Sequence, residues 1–596
     1  MYDANQYSWI WREVKHCPVY HPTQQQCEDP LLYLHSIAEE ASQYGICKIV
    51  PPLQVFIPST KMLMQHTKFE TFVHPLRADM NNGATITYSK GRKLSPREFL
   101  AFANKASTDW YGFSQGIGAP MHLESEFWHE LLHRQDKEVL IGVNMDSPSF
   151  STSSPDPFGS SNWNLKKFPK LPNSLLRHMD ADAIQGVTKP MLHLGMLFGM
   201  FAWHVEENYL FSISYHHMGE PKVWYAVPGS KAELLEEVVE KHIFNCQFPL
   251  ARGKNVADVL AKGSCMCPPN MLMDHGVPVF RACQMPGEFV LTFPKAYHAG
   301  FSTGFNFCET INFATTDWLS FGARGCLNYA QIETSHIIPY EELVCKESMV
   351  LWNDFGRELS NVQRESAIAF SILVRTHHLI RWCLWRLKGE SVTIVPKSGD
   401  IINCSKCHRN CYIAYMTCKE SPSPTCMFHD VKEVEDDFKI FVHEDILAIE
   451  AKAKLLEENN KVKEKVMDHI CWMGKSDLFR WMLTAVLKGG YHPYCHIKEY
   501  SWLHQERKPS RSSWVASNNC QIKKESSSGC GRVLSNNSQI KKESSSGRGR
   551  VLSNNSQIKK ESSSGLGRVL SNNSQIKKEI TLRSGRIVGN NCQIKK

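Results

Sequence analysis

A chain of 596 residues, 42% hydrophobic and 21% charged, has room for several domains and at least one large buried core, as a water-soluble globular protein does. No run approaches the roughly 18 apolar residues that cross a bilayer, and the N-terminus "MYDANQYSWIWREVKH" has no basic stretch leading into an apolar one, so neither membrane insertion nor secretion is expected and the protein reads as intracellular. The net charge of +8 is concentrated in residues 517–596, which hold 16 Lys and Arg against 4 Glu, or +12; the −4 carried by everything before them excludes a strongly basic nucleic-acid-binding fold.

In chain order, residues 84–107, "ATITYSKGRKLSPREFLAFANKAS", read as strand, turn and helix, the helix opening with Ser95 as cap, Pro96 in the first position and Glu98 three residues after the cap. His122-Leu123-Glu124 falls in the helical run "PMHLESEFWHELL", where residues two apart diverge, and is expected on a solvated helix face. Residues 185–320 change in texture to short β-rich runs, "LFSISYHH", "KVWYAVP", "PVFRACQ" and "GEFVLTFP", separated by Gly, Pro and polar turns, which predicts a mainly β core of jelly-roll type. Helices are expected again over 340–388 and, as one amphipathic helix, over 443–473. From Ser517 an 18-residue unit repeats, "SNNCQIKKESSSGCGRVL" and its copies, with no aromatic residue and mostly Ser, Asn, Gly and Lys, and is expected to be disordered. Each "QIKKE" carries the apolar-Lys-x-acidic shape of a SUMO acceptor, at Lys523, Lys541, Lys559 and Lys577; the alternative is a basic tail that touches DNA phosphate without specificity.

Intracellular thiols stay reduced, so the 21 cysteines are expected to be buried thiols, with a clustered minority available to metal. That cluster is "NCSKCHRNCYIAYMTCKESPSPTCMFHD", holding Cys404, Cys407, Cys411, Cys418, Cys426 and His429. A Cys-x2-Cys pair followed by Cys-x2-His supplies four soft ligands that close a tetrahedral Zn(II) site.

A second metal pattern lies in "FAWHVEENYLFSISYHHMGEPKVWYAVPG". On a strand His204 and Glu206 point to one side and present an imidazole and a carboxylate together. Two His and one carboxylate on one face of an ion leave its other positions open, as in non-heme Fe(II) oxygenases. His298, 94 residues later in "GEFVLTFPKAYHAGFSTGFNF", is the candidate third ligand, and Lys222, 18 residues after His204, is placed to hold a carboxylate in an apolar pocket.

These features, with "SNWNLKKF" before them and "INFATTDWL" after them, resemble the JmjC domain of histone lysine demethylases. Residues 17–52, "CPVYHPTQQQCEDPLLYLHSIAEEASQYGICKIVPP", resemble a JmjN segment, and the whole is most similar to the plant JmjN and JmjC demethylases that end in a C5HC2-type zinc finger. The fold so implied is a double-stranded β-helix, cupin-like, with flanking helices, a small helical zinc-binding region and a disordered tail. Its divisions are a JmjN segment 17–52, a mixed α/β region 53–161, a JmjC domain 162–330, a helical region 331–395, the Cys/His segment 396–435, a second helical region 436–510 and the repeats 511–596.

The resemblance also implies roles. His204, Glu206 and His298 become Fe(II) ligands, and Lys222 binds the distal carboxylate of 2-oxoglutarate with Phe201 and Trp224 packed near it. The implied reaction oxidises 2-oxoglutarate to succinate and CO2 and hydroxylates an N-methyl group, which leaves as formaldehyde. The implied substrate is a methylated histone H3 tail, of the lysine 9 or lysine 27 class, which places the protein in chromatin in the nucleus.

Three positions depart from that family. Ile141 stands where a tyrosine hydroxyl commonly shares the distal carboxylate with the lysine, a charge-assisted hydrogen bond of about 1.5–3 kcal/mol. Ser214 replaces an asparagine that contacts the cosubstrate, and His193 replaces a tyrosine near the methyl-lysine, where a cationic imidazole would repel the substrate. Alternatives are therefore a catalytically weak or inactive chromatin-binding regulator and a protein hydroxylase. In the Cys/His segment the cysteines expected just after Cys418 and after His429 are absent, so one zinc is expected.

Overall fold

The β-rich runs become strands in the structure, a computed structural model that describes residues 14–473 apart from short stretches, chiefly 53–67, 79–84, 112–119, 146–156, 245–255, 351–358 and 430–437. The repeats, with Lys523, Lys541, Lys559 and Lys577, lie outside the described residues. The N-terminal strands are β1 (Lys15–His16), β2 (Val19–Tyr20), β3 (Ile46–Ile49), β4 (Phe69–Pro75), β5 (Ser89–Leu94) and β6 (Glu138–Met145). The central ones are β7 (Met191–Gly195), β8 (Met200–His204), β9 (Phe211–Gly219), β10 (Lys222–Val227), β11 (Phe280–Gln284), β12 (Phe289–Thr292), β13 (Tyr297–Ser302) and β14 (Asn306–Phe313).

They form a five-stranded sheet, β1-β11-β10-β13-β8, and a nine-stranded sheet, β2-β3-β12-β9-β14-β7-β6-β4-β5. Trp224, Ala226 and Ala282 of the first pack against Ile46 and Val290 of the second, the arrangement of a cupin-like jelly roll. β9 lies mid-sheet, between β12 and β14, and its alternation sorts two environments. Ile213 and Tyr215 enter the main core with Trp163 and Phe289, whereas Ser212, Ser214 and His216 take the opposite face.

Residues 15–52 serve both sheets. β1 runs parallel to β11, while β2 pairs with β3 and β3 with β12, so one segment covers an edge of each sheet. Between them the helix Pro30–Ala41 is capped by Asp29, whose carboxylate accepts from the Leu32 amide at 3.0 Å, and it buries Leu31, Leu34 and Ala41. The expected start of the helix Pro96–Tyr111 is present as a reciprocal pair: Ser95 N donates to Glu98 Oε2 at 2.7 Å and Glu98 N to Ser95 Oγ at 3.3 Å.

Three expectations are corrected. Glu124 is not on a solvated face: on the helix Pro120–His133 it is fully buried, accepts from the Tyr225 hydroxyl and pairs with Arg281 at 3.0 Å. The amphipathic run 443–473 is two helices, Ile446–Leu456 and Asn460–Met473, because Asn459 Oδ1 accepts from Lys461 N at 3.1 Å and starts the second helix afresh. The C-terminal region is also less helical than expected: β15 (Val392–Lys397), β16 (Ala414–Cys418), β17 (Thr425–Cys426) and β18 (Phe438–His443) form a four-stranded sheet, order β15-β18-β16-β17. Ile394, Met416, Ile440 and Val442 of that sheet share a core with Phe370 and Val374 of the 28-residue helix Asn361–Lys388. Most of the described cysteines are buried.

Burial pushes His74 and His216 down to about 4. His74 is held neutral because Met200 N donates to its Nε2 while Nδ1 faces Pro75 O, and at His216 burial outweighs the Gln284 and Met218 carbonyls, which favour the protonated ring. Since an unfolded imidazole titrates near ~6.5, their stabilisation is complete above that pH and is lost as the pH falls toward about 4. Thermal melts at decreasing pH should show Tm falling through this window, and His74→Gln should flatten the fall.

Candidate functional site

Antiparallel pairing of β13 with β8 sets His298 directly opposite His204, with a bulge between His298 and Gly300. β8 ends at His204, and the chain then turns sharply through Asn208 and Tyr209, both left-handed at φ 52° and 54°. The turn is pinned by Trp318 Nε1, which donates to Asn208 O at 2.9 Å, and it brings Glu206 back over the two imidazoles. The ligand atoms of His204, Glu206 and His298 all lie within 4.8 Å of one another.

Each imidazole is oriented by its own backbone. His204 Nδ1 lies 2.9 Å from Ala202 O and His298 Nδ1 3.0 Å from Ala296 O. A carbonyl only accepts, so both Nδ1 atoms carry the proton and both Nε2 atoms present a lone pair. Burial and the neighbouring His298 push His204 down to about 4, so the ring is neutral. Burial alone would raise Glu206, but His298, His204 and Asn312 outweigh it and hold the carboxylate at about 2. Asn312 Nδ2 donates to Glu206 Oε2 at 2.8 Å, leaving Oε1 to face His298 Nε2 at 3.4 Å. Two imidazole nitrogens and one carboxylate converging on a point are a donor set that could hold a divalent transition metal with positions open on the far side.

The cavity beside this trio has a volume of about 460 Å³ and draws its wall from both sheets. Lys222 stands in it, its Nζ 4.4 Å from the Phe201 ring centre and 4.5 Å from that of Trp224. Burial lowers its pKa, and among the described residues no carboxylate meets it. The rings shield and attract the ammonium without neutralising it, so the position favours an anion arriving with a ligand. Gly300 makes the arrangement possible, since a Cβ there would lie 2.6 Å from Phe201 Cζ and 2.1 Å from Val223 O. Trp224 is fixed from behind through Nε1, which donates to Gln284 Oε1 at 3.0 Å.

Of the three departing positions, Ile141 and His193 line this cavity. Ser214 does not: it is fully buried and its hydroxyl accepts from Thr310 Oγ1 at 3.0 Å, so Thr310 and Ser212 form the polar wall where Ser214 was expected. The cationic state considered for His193 is also corrected, because burial and Lys222 push it down to about 3 and leave a neutral ring. Sequence reasoning passed over Tyr88, which reaches the cavity from the turn before β5, and Ser212; neither sits in a distinctive motif. Thr310 and Asn312 share a face of β14 with alternating spacing, a signal already present in "CETINF".

Across the C-terminal sheet, Cys404, Cys407, Cys426 and His429 gather their ligand atoms within 4.8 Å of one another. Cys404 Sγ is 3.2 Å from His429 Nε2, and Cys407 Sγ is 3.7 Å from Cys426 Sγ. Cys404 and Cys407 sit on a knuckle turn closed by His408 N donating to Cys404 O at 2.9 Å, with His408 left-handed at φ 57°. Hydrogen bonds from Cys407 and Cys426 hold the Cys404 thiol well below the usual thiol range. Cys411 and Cys418, expected among the ligands, fall outside the quartet: Cys411 Sγ donates to Arg409 O at 3.5 Å and Cys418 closes β16.

Family models place this architecture. The model described as "JmjC domain, hydroxylase" matches residues 191–313, and the jmjN domain model matches residues 18–51. The chain is 38% identical over 477 residues to "Lysine-specific demethylase JMJ706" of Oryza sativa subsp. japonica, an overlap of 77% of this chain and 55% of the relative. It is 31% identical over 407 residues to "Putative lysine-specific demethylase JMJ16" of Arabidopsis thaliana, covering 56% of this chain and 33% of that protein. The chain thus spans about half the length of the first relative and a third of the second.

Asn312→Ala removes the donor that orients Glu206. Titration of the purified protein with Mn(II) should show affinity reduced about 10- to 100-fold relative to wild type, with unchanged far-ultraviolet circular dichroism.

Proposed function

We propose, from the premise that the chain belongs to the proteins joining a JmjN segment to a JmjC domain, that it is an Fe(II)- and 2-oxoglutarate-dependent lysine demethylase of chromatin. The observation that carries this reading is the opposition, within one cavity of about 460 Å³, of a His/His/Glu trio and a half-buried lysine that meets no carboxylate among the described residues. A 2-oxo diacid has two matching ends, a chelating 2-oxo carboxylate for the metal and a distal carboxylate for Lys222. His204, Glu206 and His298 would hold the iron, with the Ala202 and Ala296 carbonyls keeping their Nε2 atoms turned to it.

When bound, the iron would supply the chemistry by which O2, the oxidant, hydroxylates an N-methyl carbon while 2-oxoglutarate gives two electrons and leaves as succinate and CO2. The chain's own part is positioning and exclusion. Phe72, Ile141, Phe201 and Trp224 give the cavity apolar walls that keep water from the reacting centre. The neutral ring of His193 puts no positive charge against a methylated ammonium. The hydroxymethyl amine then releases formaldehyde and the lysine loses one methyl. Both relatives' names describe lysine-specific demethylases, which supports a methylated lysine; the histone H3 tail at lysine 9 or lysine 27, and the nucleus as location, complete the reading.

At Cys404, Cys407, Cys426 and His429 we propose one structural Zn(II), which soft ligands at this spacing favour. Cys404→Ser should abolish zinc retention in metal analysis of the purified protein and lower its Tm, while Cys411→Ser and Cys418→Ser should keep one zinc per chain.

Incubation with Fe(II), 2-oxoglutarate and a panel of methylated H3 peptides should give stepwise loss of methyl masses, abolished by His298→Ala. A gain of oxygen without loss of methyl would mark a protein hydroxylase instead. A second reading, a chromatin-binding regulator with little catalysis, is favoured by one observation: Ile141 supplies no hydroxyl to the lysine end of the cavity. Calorimetry separates them, since 2-oxoglutarate binding at micromolar concentration that Lys222→Ala weakens by about 100-fold or more excludes the regulator reading.

A further inference from the structure

Register along β14 divides the cavity into two ends. Asn312 reaches Glu206 and pairs across the sheet with Ser212, so that end belongs to the His/His/Glu trio. Two residues back, the Thr310 hydroxyl is engaged with Ser214. Two further back, Cys308 lies close enough to Lys222 to act on its charge, and it pairs with His193 of β7. His193 therefore stands at the lysine end. Ile141 lies on the neighbouring strand, where Gly142 opposite Leu194 sets it across from Gly195, two residues from His193, and both side chains line the cavity.

Most donors on this part of the wall are already committed. Ser302 donates to Asn306 Oδ1 at 3.3 Å and Asn306 Nδ2 to Glu220 O at 3.3 Å. The Tyr88 oxygen accepts from the Ala202 backbone N–H. Of the described cavity-lining side chains, His193 alone holds a polar atom shut off from water with no hydrogen-bond partner, its Nε2. A buried ring nitrogen without a partner is costly, and such a group in a cavity beside a lone cation calls for a ligand atom that satisfies both.

We propose that His193 Nε2–H donates a hydrogen bond to the distal carboxylate of the bound 2-oxo diacid, alongside Lys222, and so takes over the contact that Ile141 cannot make. This inference rests on the cosubstrate reading above. A neutral imidazole has one N–H to give, and given to a carboxylate it forms a charge-assisted bond of the kind a phenol would make. His193 thereby becomes a cosubstrate-positioning residue of this chain, and the apolar Ile141 no longer implies a defective site.

Calorimetric titration of Mn(II)-loaded protein with 2-oxoglutarate, and separately with pyruvate, which lacks the distal carboxylate, tests it. His193→Phe keeps the size of the ring and removes the donor, and should weaken 2-oxoglutarate binding about 10- to 100-fold. His193→Gln, which restores an N–H, should recover most of the loss, and pyruvate should bind all three proteins alike. An unchanged 2-oxoglutarate affinity in His193→Phe, with Lys222→Ala still impaired, overturns the inference and leaves the cosubstrate reading standing. Equal loss for pyruvate overturns it by marking a structural role. Failure of wild type to bind 2-oxoglutarate overturns both.

Discussion

The antiparallel register of β8 against β13 is the constraint on which the site depends. It sets His298 opposite His204, and since side chains alternate across a strand, a slip of one residue would turn one imidazole away from the other. The same backbone fixes their chemistry. Ala202 and Ala296 offer carbonyls to the Nδ1 atoms, and this choice of acceptor decides which nitrogen is left to bind metal. The two left-handed residues after Glu206 complete the set by folding the carboxylate over the pair, with local strain held by buried contacts to Trp318 and Tyr329.

Holding that register against thermal motion is the work of the surrounding layers. The N-terminal segment pairs with an outer strand of each sheet, so it ties the two together at the side where edges would otherwise stand open. Behind β10 and β11, Glu124, Tyr225 and Arg281 form a buried charged group, with Trp128 Nε1 donating to the tyrosine hydroxyl at 3.1 Å. Burial pushes the Glu124 carboxyl up to about 7 against the pull of Arg281. Such a group adds little net stability, yet removing one partner strands the other charge, at a cost of about 3–5 kcal/mol. It therefore works as a locator, fixing the helix Pro120–His133 onto the strand that carries Lys222 and Trp224.

Some of this was legible in the sequence and some was not. The four β-rich runs of residues 185–320 correspond to β9, β10, β11 and β12, because β-branched and aromatic residues bounded by Gly and Pro report strand structure locally. The Ser95/Glu98 cap and the Cys-x2-Cys and Cys-x2-His pairs were equally plain, for each is satisfied within a few residues. What sequence reasoning missed depends on distant partners. Glu124 looked like a solvated residue since nothing near it in the chain reveals Arg281, 157 positions on. Ser214 looked like a cosubstrate contact since its spacing from His204 does not show Thr310 standing in front of it. Cys411 and Cys418 share the right composition, but Cys411 turns its thiol to the Arg409 carbonyl and Cys418 ends β16, so neither joins the quartet.

By itself the sequence determined the kind of chemistry: the ligand types, their order, the lysine and the texture of the sheets that carry them. Residue type is a local property, and spacing along a strand of known period says which side chains share a face. Only the tertiary structure decided which of those side chains meet. The register of non-adjacent strands made His193, rather than Ser214, the polar neighbour of the lysine end of the cavity, and made Thr310 and Asn312 parts of the site. Burial then settled charge: the imidazole of His193, cationic or neutral in isolation, is neutral where it stands because the surrounding protein does not solvate a proton there.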